Sequence, residues 1–285
     1  MKTGLILEGG AMRGLFSAGV MDVFMENNIE FDGTVGTSAG AAFGVNYKSG
    51  QVGRALRYNK EYCNNSKYMS VSNLFRQRNL YSKDFCYHEV PEKYDIFDYL
   101  EFCKNPMEFY ITCTDIVTGK AHYEKCSEIE NEDLFLEWIR ASCAMPVLAE
   151  IVEIKGNRYL DGGVGDSIPL KFMESEGYDR NVIILTQPDG FIKKKIKYGP
   201  IIKMMYKDYP LFVKAMYERY IHYNKALNYI KEKEEKKEIF VIRPREALNI
   251  KVSKDPKELQ RVYDCGRKAG ISVICGVQDF LSRSK

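Results

Sequence analysis

The chain has 285 residues, 45% of them hydrophobic and 28% charged, with a net charge of +3. That size and balance support a core built without staples and exclude a disordered or fibrous chain. So small a charge does not mark a nucleic-acid binder, and no apolar run reaches the ~20 residues of a membrane span. The eight cysteines contain no Cys-x-x-Cys pair, and only His88, His122 and His222 could join them, so a structural zinc site is not expected. The opening residues carry no export signal, because Glu8 breaks the first apolar run. Reduced thiols in the cytoplasm are therefore the expectation.

Residues 3–8 read as a buried strand, broken by Gly9 and Gly10. A helix follows over about 14–27, with Phe16, Val20, Val23 and Phe24 on one face. A second strand is expected at 31–36 and a second helix at 38–47. Strand, glycine-rich turn and helix thus occur twice within 48 residues, which implies an α/β fold with a mostly parallel sheet flanked by helices. Residues 51–99 are polar and tyrosine-rich and read as a helical insertion beside the sheet. Strands are expected at 108–114, 181–187 and 238–243, a helix at 134–142, and a hairpin from 149–154 to 158–160. A long helix is expected over 209–237, with further helix from about 255. One catalytic domain over 1–190, continued by a mainly helical region over 191–285, accounts for the whole pattern.

Three motifs carry chemistry. Gly36-Thr37-Ser38-Ala39-Gly40 is a G-x-S-x-G element between a strand and a helix. Gly36 and Gly40 let the backbone turn sharply, and the helix start beneath Ser38 offers N–H groups where an alkoxide and oxyanion develop. Glu8-Gly9-Gly10-Ala11-Met12-Arg13-Gly14 is a small-residue loop after the first strand. It reads as an oxyanion loop, or as a dinucleotide fingerprint with Ala11 in place of the middle glycine. The first reading is preferred, since the first two strands of a parallel sheet often lie side by side. Asp161-Gly162-Gly163 ends a strand and offers a carboxylate base for Ser38.

In this order the three motifs resemble those of the patatin-like phospholipases, a group related to cytosolic phospholipase A2. The resemblance covers roughly residues 3–187, and Ala11 stands where many relatives carry a third glycine. It implies a Ser38–Asp161 dyad in place of a Ser–His–Asp triad, with an oxyanion loop at Gly9, Gly10, Ala11 and Arg13, and it implies no metal or organic cofactor. The sequence itself offers only His222 after Asp161 for a triad, and that residue falls inside the long helix. Asp115, Asp166, Cys113 and Cys143 read as turn, cap or core residues.

The expected activity is hydrolysis of lipid or other carboxylic esters through an acyl-enzyme, with a lipid or small ester as partner and no nucleic acid. A second class, a non-catalytic lipid- or nucleotide-binding protein that keeps the loop, stays open. A Rossmann oxidoreductase is a weaker third. Residues 191–233 hold eleven Lys or Arg against three acids, a net +8. Among them, Val213, Met216, Tyr217, Tyr220, Tyr223, Leu227 and Ile230 recur at helical spacing. That stripe either packs on the sheet, or edges a basic face that docks peripherally on the anionic inner membrane surface.

Overall fold

The computed structural model describes residues 1–129 and 131–282. The first half runs β1 (Lys2–Leu7), α1 (Gly14–Glu26), β2 (Gly33–Thr37), α2 (Ala39–Lys48), α3 (Arg54–Tyr62) and α4 (Val71–Gln77). A wide helical segment, Phe85–Tyr94, and α5 (Tyr99–Lys104) lead to β3 (Glu108–Asp115) and β4 (Ala121–Lys125). Next come α6 (Glu132–Cys143), β5 (Val152–Ile154), β6 (Asn157–Asp161), α7 (Leu170–Ser175) and β7 (Tyr178–Ile184). The chain closes with α8 (Gly199–Met205), α9 (Pro210–Glu235), β8 (Ile239–Ile242) and α10 (Pro256–Ser282).

Strands β3, β2, β1, β7 and β8 form a parallel sheet in that order. Strands β4 and β6 join β3 antiparallel, and β5 extends β6. The architecture is a mostly parallel sheet flanked by helices, as the repeated strand–turn–helix pattern predicts. Period-2 alternation divides the core between the two faces. Leu5 and Leu7 enter one apolar cluster with residues of α1, α2 and α10, while Ile6 enters another with Tyr223 and Ile230 of α9.

The C-terminal helix closes on the first one. Tyr263 donates to Asp22 at 2.5 Å, and Arg267 pairs with Glu26 at 2.6 Å. The first cluster consequently draws on residues from Leu5 to Phe280.

Two local differences from the sequence reading have physical causes, and one alternative left open there is decided. The β4 sequence, Ala-His-Tyr-Glu-Lys, is half-exposed at every position, so it carries no alternation to detect. Strand β7 begins at Tyr178, three residues ahead of the apolar run at 181, because Tyr178 is itself buried. The apolar stripe on α9 packs inward: Met216, Tyr223 and Ile230 are buried, and Val213 and Leu227 lie against the core. A run of exposed apolar side chains lies on α8 and the segment before it, at Ile192, Tyr198, Ile201, Met204 and Met205, and continues onto Leu211 at the start of α9.

Candidate active site

Strand pairing brings the three motif loops together. Leu7 lies opposite Gly36 in the β1–β2 register, so both strands run out at one level. The loop after β1 therefore abuts the turn after β2. A Cβ on Gly9 would stand 2.9 Å from the Thr37 carbonyl and 3.1 Å from Ser38 Cβ. On the other side, Thr37 pairs with Thr112 of β3, and the next β3 residue, Cys113, pairs with Asp161 of β6. Strand β6 thus continues the edge that β2 leaves, which sets Asp161 beside Ser38.

Ser38 occupies the sharp turn between β2 and α2 at φ 54°, ψ −123°. Such a backbone costs a non-glycine residue about 1–3 kcal/mol and survives only where its surroundings enforce it. Here they do. The Ser38 N–H donates to Ser142 Oγ at 2.8 Å, and that hydroxyl donates to the Thr112 carbonyl at 2.7 Å. A Cβ at Gly40 would run into the Leu7 carbonyl, so the helix start can lie this close to β1 only with glycine there.

Ser38 Oγ donates to Asp161 Oδ2 at 2.7 Å. The other carboxylate oxygen accepts the Gly163 N–H at 2.7 Å, and the Asp161 carbonyl accepts Thr114 Oγ1 at 2.8 Å. The Asp161 N–H is held by the Ala144 carbonyl at 2.8 Å. Burial pushes the Asp161 carboxyl above its ordinary value, while the Arg219 charge, the Ser38 hydroxyl and the Gly163 N–H pull it part of the way back. The arrangement makes a buried carboxylate more basic and aims it at a serine hydroxyl.

The oxyanion-loop residues divide in two. Among the described residues, no protein acceptor takes the N–H groups of Gly9, Gly10 or Ala11, which leaves them as donors beside Ser38. Ala11 stands at φ 48°, in the left-handed region where a methyl is strained. Arg13 is held differently: its Nη1 reaches toward the Ile250 carbonyl at 3.5 Å, its Nε is buried without a hydrogen-bond partner among the described residues, and its charge interacts with Glu8 and Arg219.

Sequence reasoning missed Ser142, Glu8, Arg219 and Tyr223. Glu8 is buried, accepts the Thr186 N–H at 2.6 Å, and accepts Tyr223 OH on its other oxygen at 2.5 Å. A carboxylate ending a buried strand beside two glycines was the available signal for Glu8; the other three stand in helices with no local mark. His222 is 60% exposed and faces Glu218 at 3.8 Å, so it does not serve Asp161. His122 stacks on Trp138 and bonds Glu124 at 3.0 Å, and His88 faces Glu92 at 3.3 Å. Asp115 accepts the Val117 N–H in a turn, and Asp166 accepts Tyr123 OH.

A pocket of about 140 Å³ has Ser38 in its wall. Met12, Phe43 and Val45 line it from the body of the fold, Leu136 and Ile139 from α6, and Tyr58, Val90 and Phe97 from the 51–99 segment. An apolar cavity ending at a hydroxyl suits an acyl chain. Elsewhere, His88, Glu92 and Asp133 bring ligand atoms within 4.8 Å of one another at the surface, and none of the residues around Ser38 belongs to that group.

A family model described as "Patatin-like phospholipase" matches residues 5–173, and one described as "Domain of unknown function (DUF6363)" matches residues 209–282. The uncharacterized protein YjjU of Escherichia coli (strain K12) is 29% identical over 198 residues, covering 66% of this chain and 52% of that protein. Lysophospholipase NTE1 of Scheffersomyces stipitis is 26% identical over 179 residues, 61% of this chain and 11% of that one. The chain therefore spans about half of the first relative and a small part of the second. The crystal structure of VipD from Legionella pneumophila aligns over 96% of this chain and 67% of its own, with a TM-score of 0.49 at 12% identity. With more than half of its length matched by one family model, the chain belongs to the patatin-like phospholipase family.

Proposed function

We propose that this chain is a serine acyl hydrolase that cleaves carboxylic esters of phospholipids or other lipids through a Ser38–Asp161 dyad. The observation that carries the reading is the 2.7 Å bond from Ser38 Oγ to a buried carboxylate, at a strained turn on the wall of an apolar pocket. Asp161 Oδ2 takes the Ser38 proton as Oγ bonds to the ester carbonyl carbon. The N–H groups of Gly9, Gly10 and Ala11, with Ala39 at the start of α2, receive the negative oxygen. The C–O bond to the alcohol then breaks, and that oxygen takes the proton back from Asp161. Water repeats the sequence on the acyl-enzyme: Asp161 removes its proton, the acid leaves, and Ser38 is restored. No step calls for a metal or an organic cofactor.

The proposal extends to where the substrate is met. Residues 191–207 hold Lys193, Lys194, Lys195, Lys197, Lys203 and Lys207 and no acid. Five exposed apolar side chains lie among them. Tyr206 accepts the Val147 N–H at 3.0 Å, close to the pocket residue Met145, so this surface flanks the site. It suits peripheral contact with an anionic leaflet, and eight free thiols suit the reducing cytoplasm on that side of a membrane. No helix among the described residues is long and apolar enough to cross a membrane.

Labelling with a fluorophosphonate, followed by hydrolysis assays on ester and phospholipid series of graded chain length, tests the catalytic reading. Wild-type protein is expected to label at Ser38 and to turn over lipid esters, and Ser38→Ala to do neither. An unreactive wild-type Ser38 would overturn the reading and favour a binding protein that keeps the loop.

A further inference from the structure

We infer that α9 is part of the active site, with Arg219 and Tyr223 as positioning residues that brace the Asp161 loop and the oxyanion loop from one helix face. The inference rests on the proposed Ser38–Asp161 chemistry and gives a role to a region matched by a family model described as a domain of unknown function.

Arg219 and Tyr223 stand four residues apart, so they project from the same side of the helix. Arg219 Nε donates to the Gly163 carbonyl, and the Gly163 N–H in turn donates to Asp161 Oδ1 at 2.7 Å. Holding Gly163 therefore holds the carboxylate rotamer that leaves Oδ2 facing Ser38. Tyr223 OH donates to Glu8 Oε1, while Glu8 Oε2 accepts the Thr186 N–H just beyond β7. Glu8 immediately precedes Gly9, so this buried carboxylate fixes the entry to the oxyanion loop between α9 and the sheet.

The Arg219 charge has a second effect. Facing Asp161 are Ser38 from the turn, the Gly163 N–H from its own loop, Arg219 from α9 and Lys193 from the segment before α8. The Cys113 thiol of β3 and the Cys143 thiol of α6 also face it, and burial raises both, keeping them neutral. Arg219 is foremost among the groups that favour the ionised carboxylate. Lys193, which burial and the Arg219 charge bring down to about 7, is the second cation. Removing Arg219 must raise the pH at which Asp161 becomes a base.

The test is the rate of Ser38 labelling by a fluorophosphonate as a function of pH, together with kcat and KM for a soluble ester, in the full chain. Arg219→Gln is expected to slow labelling at neutral pH about tenfold to a hundredfold. Its acid limb should also move up by about 1 pH unit. Arg219→Lys keeps the charge but loses the fork, so its rate should fall while its acid limb stays in place. Tyr223→Phe should lower kcat with KM and the limb unmoved. If Arg219→Gln labels like wild type, or slows only in step with its folded fraction at an unmoved limb, the inference is overturned. Should Arg219→Gln not fold, a wild-type labelling rate in Arg219→Lys overturns it equally. An unreactive wild type removes the serine chemistry itself, whereas a reactive wild type with unaffected variants removes only the role of α9.

Discussion

Ser38 and Asp161 reach each other along one edge of β3: Thr37, the residue before the serine, pairs with Thr112, and Asp161 pairs with Cys113. The contact is thus built into sheet register rather than left to side-chain choice, and either residue can be altered without disturbing the other's backbone. Ser38→Ala and Asp161→Asn are each expected to abolish ester hydrolysis in protein that keeps its circular dichroism spectrum. Members of one catalytic unit fail together, so the double variant should be scarcely worse than either single. Near-wild-type turnover by Asp161→Asn would place the base elsewhere.

The same aspartate gives a stability prediction of opposite sign. Its folded pKa lies above its unfolded value, chiefly because burial disfavours the charge. The folded state therefore holds the proton more tightly than the unfolded state does. Stability is lost as pH rises from the unfolded value, near 3.9 for aspartate, through the folded one. Asp161→Asn removes that liability while its amide can still donate to Ser38 Oγ and accept from Gly163. The variant should melt higher than wild type at neutral pH, and the gain should shrink toward pH 4. Thermal melts across that range decide it; a variant less stable than wild type at pH 7 would mean that the lost Arg219 attraction outweighs desolvation.

For the oxyanion loop, crowding and strain separate two neighbouring positions. A Cβ on Gly10 would stand 2.7 Å from Thr186 Oγ1, so Gly10→Val must shift the loop. Displacing one oxyanion donor costs ~10²–10³ in turnover. Ala11→Gly should act in the other direction. It relieves a methyl at φ 48°, worth about 1–2 kcal/mol, against a glycine entropy cost of roughly 0.5–1 kcal/mol. A small rise in melting temperature with turnover kept or slightly raised is expected. Full activity in Gly10→Val would return the loop to a structural role.

The legible parts of this molecule are those whose physics is local. An apolar run, a pair of glycines and a helix start are contiguous in sequence, so β1, β2, α1, α2 and the serine turn could be read directly. Asp161 was legible for a different reason: Asp-Gly-Gly after a strand is a turn of recognisable chemistry, although only register shows what it meets. Ser142, Arg219 and Tyr223 are distant in sequence from everything they hold. Nothing in the residues around Ser142 says that its hydroxyl takes the N–H of Ser38. The stripe on α9 was visible but ambiguous, since the same spacing serves a core face or a membrane face. Burial of Met216, Tyr223 and Ile230 resolves it toward the core, and the denser run of exposed apolar side chains lies on α8 and the segment before it.

That placement sharpens the prediction about membranes. Ile201 is 48% exposed and Met204 71%, on a helix whose flanks carry lysines and no acids from 191 to 207. Near an anionic leaflet each lysine contributes about 1 kcal/mol, so even three of the five exposed ones, Lys194, Lys195, Lys197, Lys203 and Lys207, would support transient binding. The apolar side chains would add insertion that salt does not screen. Wild-type protein is therefore expected to co-sediment with anionic vesicles more than with neutral ones, and to release partly as the Debye length shortens. Replacing Lys194, Lys195 and Lys197 with Glu should remove the preference for anionic vesicles. Met204→Asp should weaken binding to both kinds at high salt. Both variants should hydrolyse a small soluble ester as wild type does, since none of the four residues touches the pocket. Equal partitioning of wild type onto the two vesicle types, or none, would sink the docking surface and point to a soluble ester as the substrate.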